Sequence, residues 1–301
     1  MERRRRAGRQ LAAAVAAGLV CLGAAGCGAS GGHGDDDGKA GGKGNDRASS
    51  GKPGGADGAG DGAGRGKHKS ADEPLSGKVI LVDPGHNPHN RDQPGKISRS
   101  VDIGTGKKEC DTTGTATNSG YAEADFTLDL ARRVRTQLRE SGATVRFTHD
   151  GDEPYGPCVD ERAEKGNRAQ ADAAISLHAD GAPSGSRGFH VILPASVHKG
   201  VADTRAIVTP SRRFGTDLRN AFRAATGERP ANYLGDGNGL DTRADLGGLN
   251  LSKVPKVFLE CGNMRDARDA ANLTSAKWRE KAADGVTDGI TAFLTPHEGK
   301  R

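Results

Sequence analysis

The sequence predicts an α/β fold, a three-layer sandwich in which helices flank a mostly parallel mixed sheet. Three observations point to it. Short runs made almost wholly of Val, Ile, Leu, Phe and Ala, at 79–82, 173–177 and 257–259, read as strands buried on both faces. Stretches with apolar residues three and four apart alternate with them, as helices in such folds do. Two of the apolar runs end on residues that carry chemistry, and α/β sheets place chemistry at the C-terminal ends of their strands.

Residues 78–83 hold Val-Ile-Leu-Val and stop at Pro84-Gly85, a strand followed by a tight turn. Residues 87–120 are rich in Asn, Gly, Thr and Ser and read as a long loop over the sheet edge; long loops in compact domains usually serve function. Phe126, Leu130, Val134 and Leu138 lie four apart, so 122–140 is an amphipathic helix ending at Ser141-Gly142. A strand at 144–148, a helix at 160–171 and a fully buried strand at 173–178 follow. Residues 188–194 form a strand with no room for a helix before it, which predicts antiparallel pairing. Phe214, Leu218, Ala221 and Phe222 share one face of a helix at 209–226. A buried strand at 256–260 and helices at 264–271 and 275–294 close the chain.

The chain has 301 residues and a net charge of +5, unevenly spread. Four arginines at 3–6, an Ala-rich apolar run at 11–25 and small residues before Cys27 describe an export signal over 1–27, too short to span a bilayer. Ala24-Ala25-Gly26-Cys27 resembles a lipobox, which makes Cys27 the candidate lipidation site; cleavage at an Ala-x-Ala-like site is the alternative. Both place the protein outside the cytoplasm, as a membrane lipoprotein facing the cell wall or as a secreted protein. Residues 28–74 are Gly, Asp, Lys, Ala and Ser with few apolar groups, which predicts a disordered linker. Residues 75–297 are long enough for one core and form the expected catalytic domain. With aromatics at 4 % and much of the excess positive charge in the signal, nucleic-acid binding is a poor reading.

His86 follows the first strand and its turn, His178 ends the strand at 173–178, and Glu123 opens the helix at 122–140. Two His and one Glu can hold Zn²⁺ and leave a fourth position open. Zn²⁺ lowers the pKa of water and polarises a carbonyl, so a metal-assisted hydrolase is the leading reading. Glu260 ends the strand at 256–260, where a carboxylate must be solvated, paired or beside a metal; it reads as the general base, or as a group orienting a ligand histidine. Glu123 would also suit a helix N-terminus as a simple dipole partner. Asn87, Asn250 and Asn263 are candidates for substrate amides. His190 reads as a structural histidine or a cleft residue, and Arg187 as a surface ion pair or a carboxylate contact.

These segments resemble the zinc-dependent N-acetylmuramoyl-L-alanine amidases of the Amidase_3 family over about residues 78–294. The carrying motifs are Asp83-Pro84-Gly85-His86, Glu123 at the start of the first long helix, Ser176-Leu177-His178-Ala179, and Val257-Phe258-Leu259-Glu260 with Gly262-Asn263. Gly156-Pro157-Cys158-Val159-Asp160-Glu161-Arg162, Arg187-Gly188-Phe189-His190 and Gly247-Gly248-Leu249-Asn250 are similar to single-domain actinobacterial members. Asp180 stands where many members carry Asn, and Asn87-Pro88 where Gly-Gly is usual. The resemblance implies one zinc per chain held by His86, Glu123 and His178, with Glu260 catalytic. It implies a substrate of peptidoglycan or muropeptides, cut between the lactyl group of N-acetylmuramic acid and L-alanine. A stem-peptide peptidase and a catalytically silent wall-binding lipoprotein are the alternatives. No separate wall-binding module is visible, the lipid anchor is the only expected membrane contact, and a monomer is expected. Cys110 and Cys158 are the candidate disulfide, as related enzymes also suggest; Cys261 is then a small buried residue or a further ligand.

Overall fold

The computed structural model describes residues 73–295. The expected signal with Cys27 and all but the last two residues of the expected linker lie outside the described residues. The strands are β1 (Val79–Pro84), β2 (Ser100–Asp102), β3 (Lys107–Glu109), β4 (Thr144–Phe147), β5 (Ala173–Asp180), β6 (His190–Pro194), β7 (His198–Lys199), β8 (Ala202–Asp203), β9 (Leu240–Arg243) and β10 (Lys256–Asn263). The helices are α1 (Pro94–Ile97), α2 (Glu123–Glu140), α3 (Val159–Arg168), α4 (Val208–Thr226), α5 (Gly247–Asn250), α6 (Ala267–Thr274) and α7 (Ala276–Leu294).

Six strands form one sheet in the order β4-β1-β5-β10-β6-β9. All neighbours pair parallel except β10 and β6, which pair antiparallel as the missing crossover requires. Period two sorts the strand residues. Ile80, Val82, Ile175, Leu177, Val191, Leu193, Val257 and Leu259 enter one core with residues of α2, α4 and α7. Phe126, Phe214 and Phe222 from these helices are fully buried there, each worth roughly 2 kcal/mol of apolar transfer. The other face carries Asp83, Ser176, His178, Lys256, Phe258, Glu260 and His190, placed side by side by the register. This α/β sheet with helices on both faces is the predicted fold class, with β9 as an added edge strand that the polar run Leu-Asp-Thr-Arg did not reveal.

The segment 87–120 departs from the expected structureless loop. It holds a 3₁₀ turn at Asn90–Asp92, α1 and the β2–β3 hairpin. Its few apolar side chains are placed to make a small second core: Val101 and Ile103 pack with Cys110 and Cys158, which are joined in the expected disulfide. A count of apolar residues hides this, because the disulfide supplies closure that a larger core would otherwise give. No helix among the described residues is long and apolar enough to cross a membrane.

Candidate metal centre and active site

β1 ends in Asp83-Pro84, and Gly85 passes hard against β5: a Cβ at Gly85 would lie 2.4 Å from Cε1 of His178. His86 then adopts φ +62°, a left-handed conformation that costs an L-residue energy and turns its imidazole back over the strand ends. Glu123 is the first residue of α2, and its side chain is buried. Its Oε2 accepts from the Thr115 amide at 2.9 Å and its Oε1 from the Ala179 amide at 3.2 Å. The same Oε1 is 2.9 Å from Nδ1 of His178 and 3.3 Å from Nε2 of His86. One ligand atom from each of the three residues lies within 4.8 Å of the others. A tetrahedral zinc with bonds near 2.0 Å needs its ligands about 3.3 Å apart, so the set is already close to size.

The hydrogen bonds behind the two rings fix their orientation. His86 Nδ1 lies 3.1 Å from the Thr112 carbonyl and 3.3 Å from Asp111 Oδ1, both acceptors, so it carries a proton. Ser176 Oγ donates to Asp83 Oδ2 at 2.9 Å, so it accepts from Nε2 of His178 at 3.1 Å. The other nitrogen of each ring faces Glu123. Burial pushes the Glu123 carboxyl up, but His86 and His178 outweigh it and hold the group well below the usual carboxylate range. Two imidazole nitrogens and a buried, ionised carboxylate that converge on one point are a donor set that suits a divalent metal, which would replace the protons between them.

Glu260 lies directly opposite His178 on β5 and His190 on β6. Its Oε2 is enclosed and has no hydrogen-bond partner among the described residues. Burial pushes its carboxyl well above the ordinary value, and the charges of Glu123 and Asp180 add to that. A buried carboxyl is thus held at the edge of the donor set, in a hollow of about 340 Å³ that adjoins an open cleft of about 700 Å³ at His86, His178 and Phe258. Ser98, Lys107, Lys108 and Asp245 line the far part of that cleft.

The three candidate asparagines do not join this group. Asn87 gives its amide to the carbonyls of Glu153 and Gly156, and Asn250 gives its amide to those of Ile103 and Ala244. Asn263 donates to the carbonyls of Ala182 and Ser186. All three are buried and tie loops to the scaffold. Arg187 pairs with Glu228 and Asp269. Cys261 points into the main core, away from the three donors, as the small buried residue of the two readings. His190 is buried beside Tyr233, and burial pulls its pKa down to about 4. The sequence reading assigned no role to Asp111 or Ser176, or to Arg243, which lines the hollow beside Glu260. Asp111 had one available signal, its place next to a half-cystine.

Fold and side chains together define an α/β protein with a candidate His-Glu-His metal centre and a buried carboxylate beside it. Residues 80–292 match the Amidase_3 family, described as N-acetylmuramoyl-L-alanine amidase. The chain is 39 % identical over 221 residues to N-acetylmuramoyl-L-alanine amidase Rv3717 of Mycobacterium tuberculosis, covering 73 % of this chain and 88 % of the relative. Crystal structures of the amidase Ami1 are similar. That from Mycobacterium smegmatis has a TM-score of 0.66 at 40 % identity, covering 73 % of this chain and 98 % of that one. That from Mycobacterium abscessus has a TM-score of 0.67 at 42 % identity, covering 73 % and 100 %. This chain belongs to the Amidase_3 family and is an N-acetylmuramoyl-L-alanine amidase.

Proposed function

We propose that the chain is a zinc-dependent peptidoglycan amidase that cuts the bond between the lactyl group of N-acetylmuramic acid and L-alanine, with Glu260 as general base. One observation carries the zinc reading: two histidines, each held from behind through one ring nitrogen, turn the other toward one buried carboxylate. When bound, the ion supplies Lewis-acid polarisation of the scissile carbonyl and a lowered pKa for water. His86, Glu123 and His178 would hold it, one ion per chain. Glu260 takes the proton of the attacking water and passes it to the leaving amine. The adjoining cleft has the size of an ordinary ligand site, which supports a peptide as the substrate. Export, with a lipid anchor at Cys27, a linker over 28–74 and a catalytic domain over 75–297, would bring the site to the cell wall.

The test is mass spectrometry of muropeptides incubated with the protein, with and without a chelator. Free stem peptides beginning at L-alanine, abolished by the chelator and restored by zinc, are expected. Cleavage inside the stem would replace the bond assignment with that of a peptidase. Glu260→Gln keeps shape and zinc but loses the base, and about a 10²- to 10⁴-fold fall in kcat is expected. Full activity of E260Q would remove Glu260 from the mechanism.

A further inference from the structure

Arg162 lies on α3, behind the metal centre, and is buried. All five of its N–H groups have acceptors. Nε donates to the Pro157 carbonyl at 2.8 Å. Nη1 donates to Asp83 Oδ1 and to the Pro84 carbonyl, both at 2.7 Å. Nη2 donates to Asp111 Oδ2 at 2.7 Å and to the His86 carbonyl at 3.2 Å. A guanidinium has five donors in a rigid plane, so no further acceptor is needed and rotation would break several bonds at once.

These bonds lead to both metal histidines. Through Asp111, Arg162 reaches Nδ1 of His86. Through Asp83 and the Ser176 hydroxyl, it reaches Nε2 of His178. Through the Pro84 and His86 carbonyls, it grips the turn that holds His86 in its left-handed conformation. Lys256 and Thr148 complete the acceptor capacity of Asp83. The charges of Arg162, Lys256, Asp83 and Asp111 balance, and all four groups are buried. A buried ionic set of this kind gives little net stability over apolar packing of equal volume. What it does give here is orientation, since its arms end on the two rings and on the turn between them.

We propose that Arg162 is the positioning residue that fixes both metal histidines as one unit, so that the orientation of each ring depends on that of the other. The proposal rests on the zinc reading above. It predicts that disturbing any one arm slackens the whole, rather than only the histidine at its end. Asp111→Asn offers one oxygen to two donors, His86 and Arg162, and so breaks the first arm. Ser176→Ala removes the second. Arg162→Lys keeps the charge and loses the planar fork.

The experiment is zinc affinity of the full-length chain by competition with a chromophoric chelator, with thermal denaturation of each metal-free variant alongside. The visible spectrum of the cobalt-substituted protein reports ligand geometry. Absence of zinc binding by the unaltered protein would overturn the zinc reading itself. Given binding, D111N and S176A are each expected to weaken it by about 10- to 100-fold. R162K is expected to weaken it at least as much and to alter the cobalt spectrum. In R162K/D111N and R162K/S176A the loss should fall well short of the product of the single losses, the mark of coupled groups. Affinity of R162K within twofold of the unaltered protein overturns the proposal, even if the melting temperature falls. So do losses that multiply fully. Should R162K not fold, D111N, S176A and their double variant decide by the same rule.

Discussion

Replacing Cys110 and Cys158 together by alanine opens a loop closed across a sequence separation of 48. Alanine is preferred to serine because a hydroxyl at 158, the N-cap of α3 and within reach of Arg99 Nη2, would add bonds of its own and mask the loss of the crosslink. In the chain-entropy account a crosslink of this span restricts the unfolded state by about 4 kcal/mol at 25 °C. Unfolding entropy is about 2.1 cal/mol/K per residue near 60 °C. For the roughly 220 described residues that gives about 0.5 kcal/mol/K, so the melting temperature should fall by about 9 °C. The assay is thermal denaturation followed by circular dichroism, on the unaltered protein and C110A/C158A, each with and without reductant. Reductant should lower the unaltered protein to the level of the variant and leave the variant unmoved, because Cys261 is buried. The disulfide also brackets a functional contact: Cys110 precedes Asp111, and Cys158 caps the helix that carries Arg162. Zinc affinity should therefore weaken in the variant as well. A fall of less than about 2 °C would refute the loop-closure argument; an unchanged zinc affinity would separate the crosslink from the metal centre.

Gly85→Ala places a Cβ 2.4 Å from the His178 ring and 2.6 Å from the Leu177 carbonyl, and the backbone contact cannot yield cheaply. A stability loss of roughly 1–3 kcal/mol with strongly weakened zinc binding is expected, and near-normal binding by calorimetry would show that the turn is more pliant than the close approach implies. His149 is buried, donates Nε2–H to the Pro84 carbonyl at 3.0 Å, and is pulled down to about 4 chiefly by burial. The unfolded chain therefore takes up a proton near pH 6.5 that the folded chain refuses until about pH 4. Stability is present above the unfolded value and is lost as pH falls through that window. Urea unfolding should show roughly 3 kcal/mol more loss between pH 7 and pH 4 in the unaltered protein than in H149Q; equal losses would mean that His149 is not held neutral.

The fold was legible wherever one element had one apolar pattern. The run 79–82 and the four-apart residues of α2 each had a single reading, and the structure has a strand and a helix there. Glu123, His86 and His178 were legible as candidates because each falls at the opening of a helix or at the end of an apolar run, although β5 itself continues past His178 to Asp180. β9 was not legible, since an edge strand needs no apolar alternation and Leu240–Arg243 shows none. The asparagines were legible as polar residues near the right motifs but not as buried ones. An Asn that closes a loop and an Asn that meets a substrate look alike until the neighbouring carbonyls are in place. Asp111 and Arg162 are far apart in sequence, and only the disulfide and the path of 87–120 bring them together.

The sheet order β4-β1-β5-β10-β6-β9 has a seam between β5 and β10. The strands on one side come from the chain up to Asp180, and those on the other from His190 onward. His86, Glu123 and His178 all belong to the first half, and Glu260 to the second. On the proposed mechanism, capture of the metal and handling of the proton are therefore built by consecutive stretches of the polypeptide and meet at one strand boundary. The donor set is complete in sequence before β10 begins, and Glu260 joins it only when that strand docks. The same division sorts damage: lesions before the seam should surface as lost metal, and lesions after it as a loaded but idle enzyme.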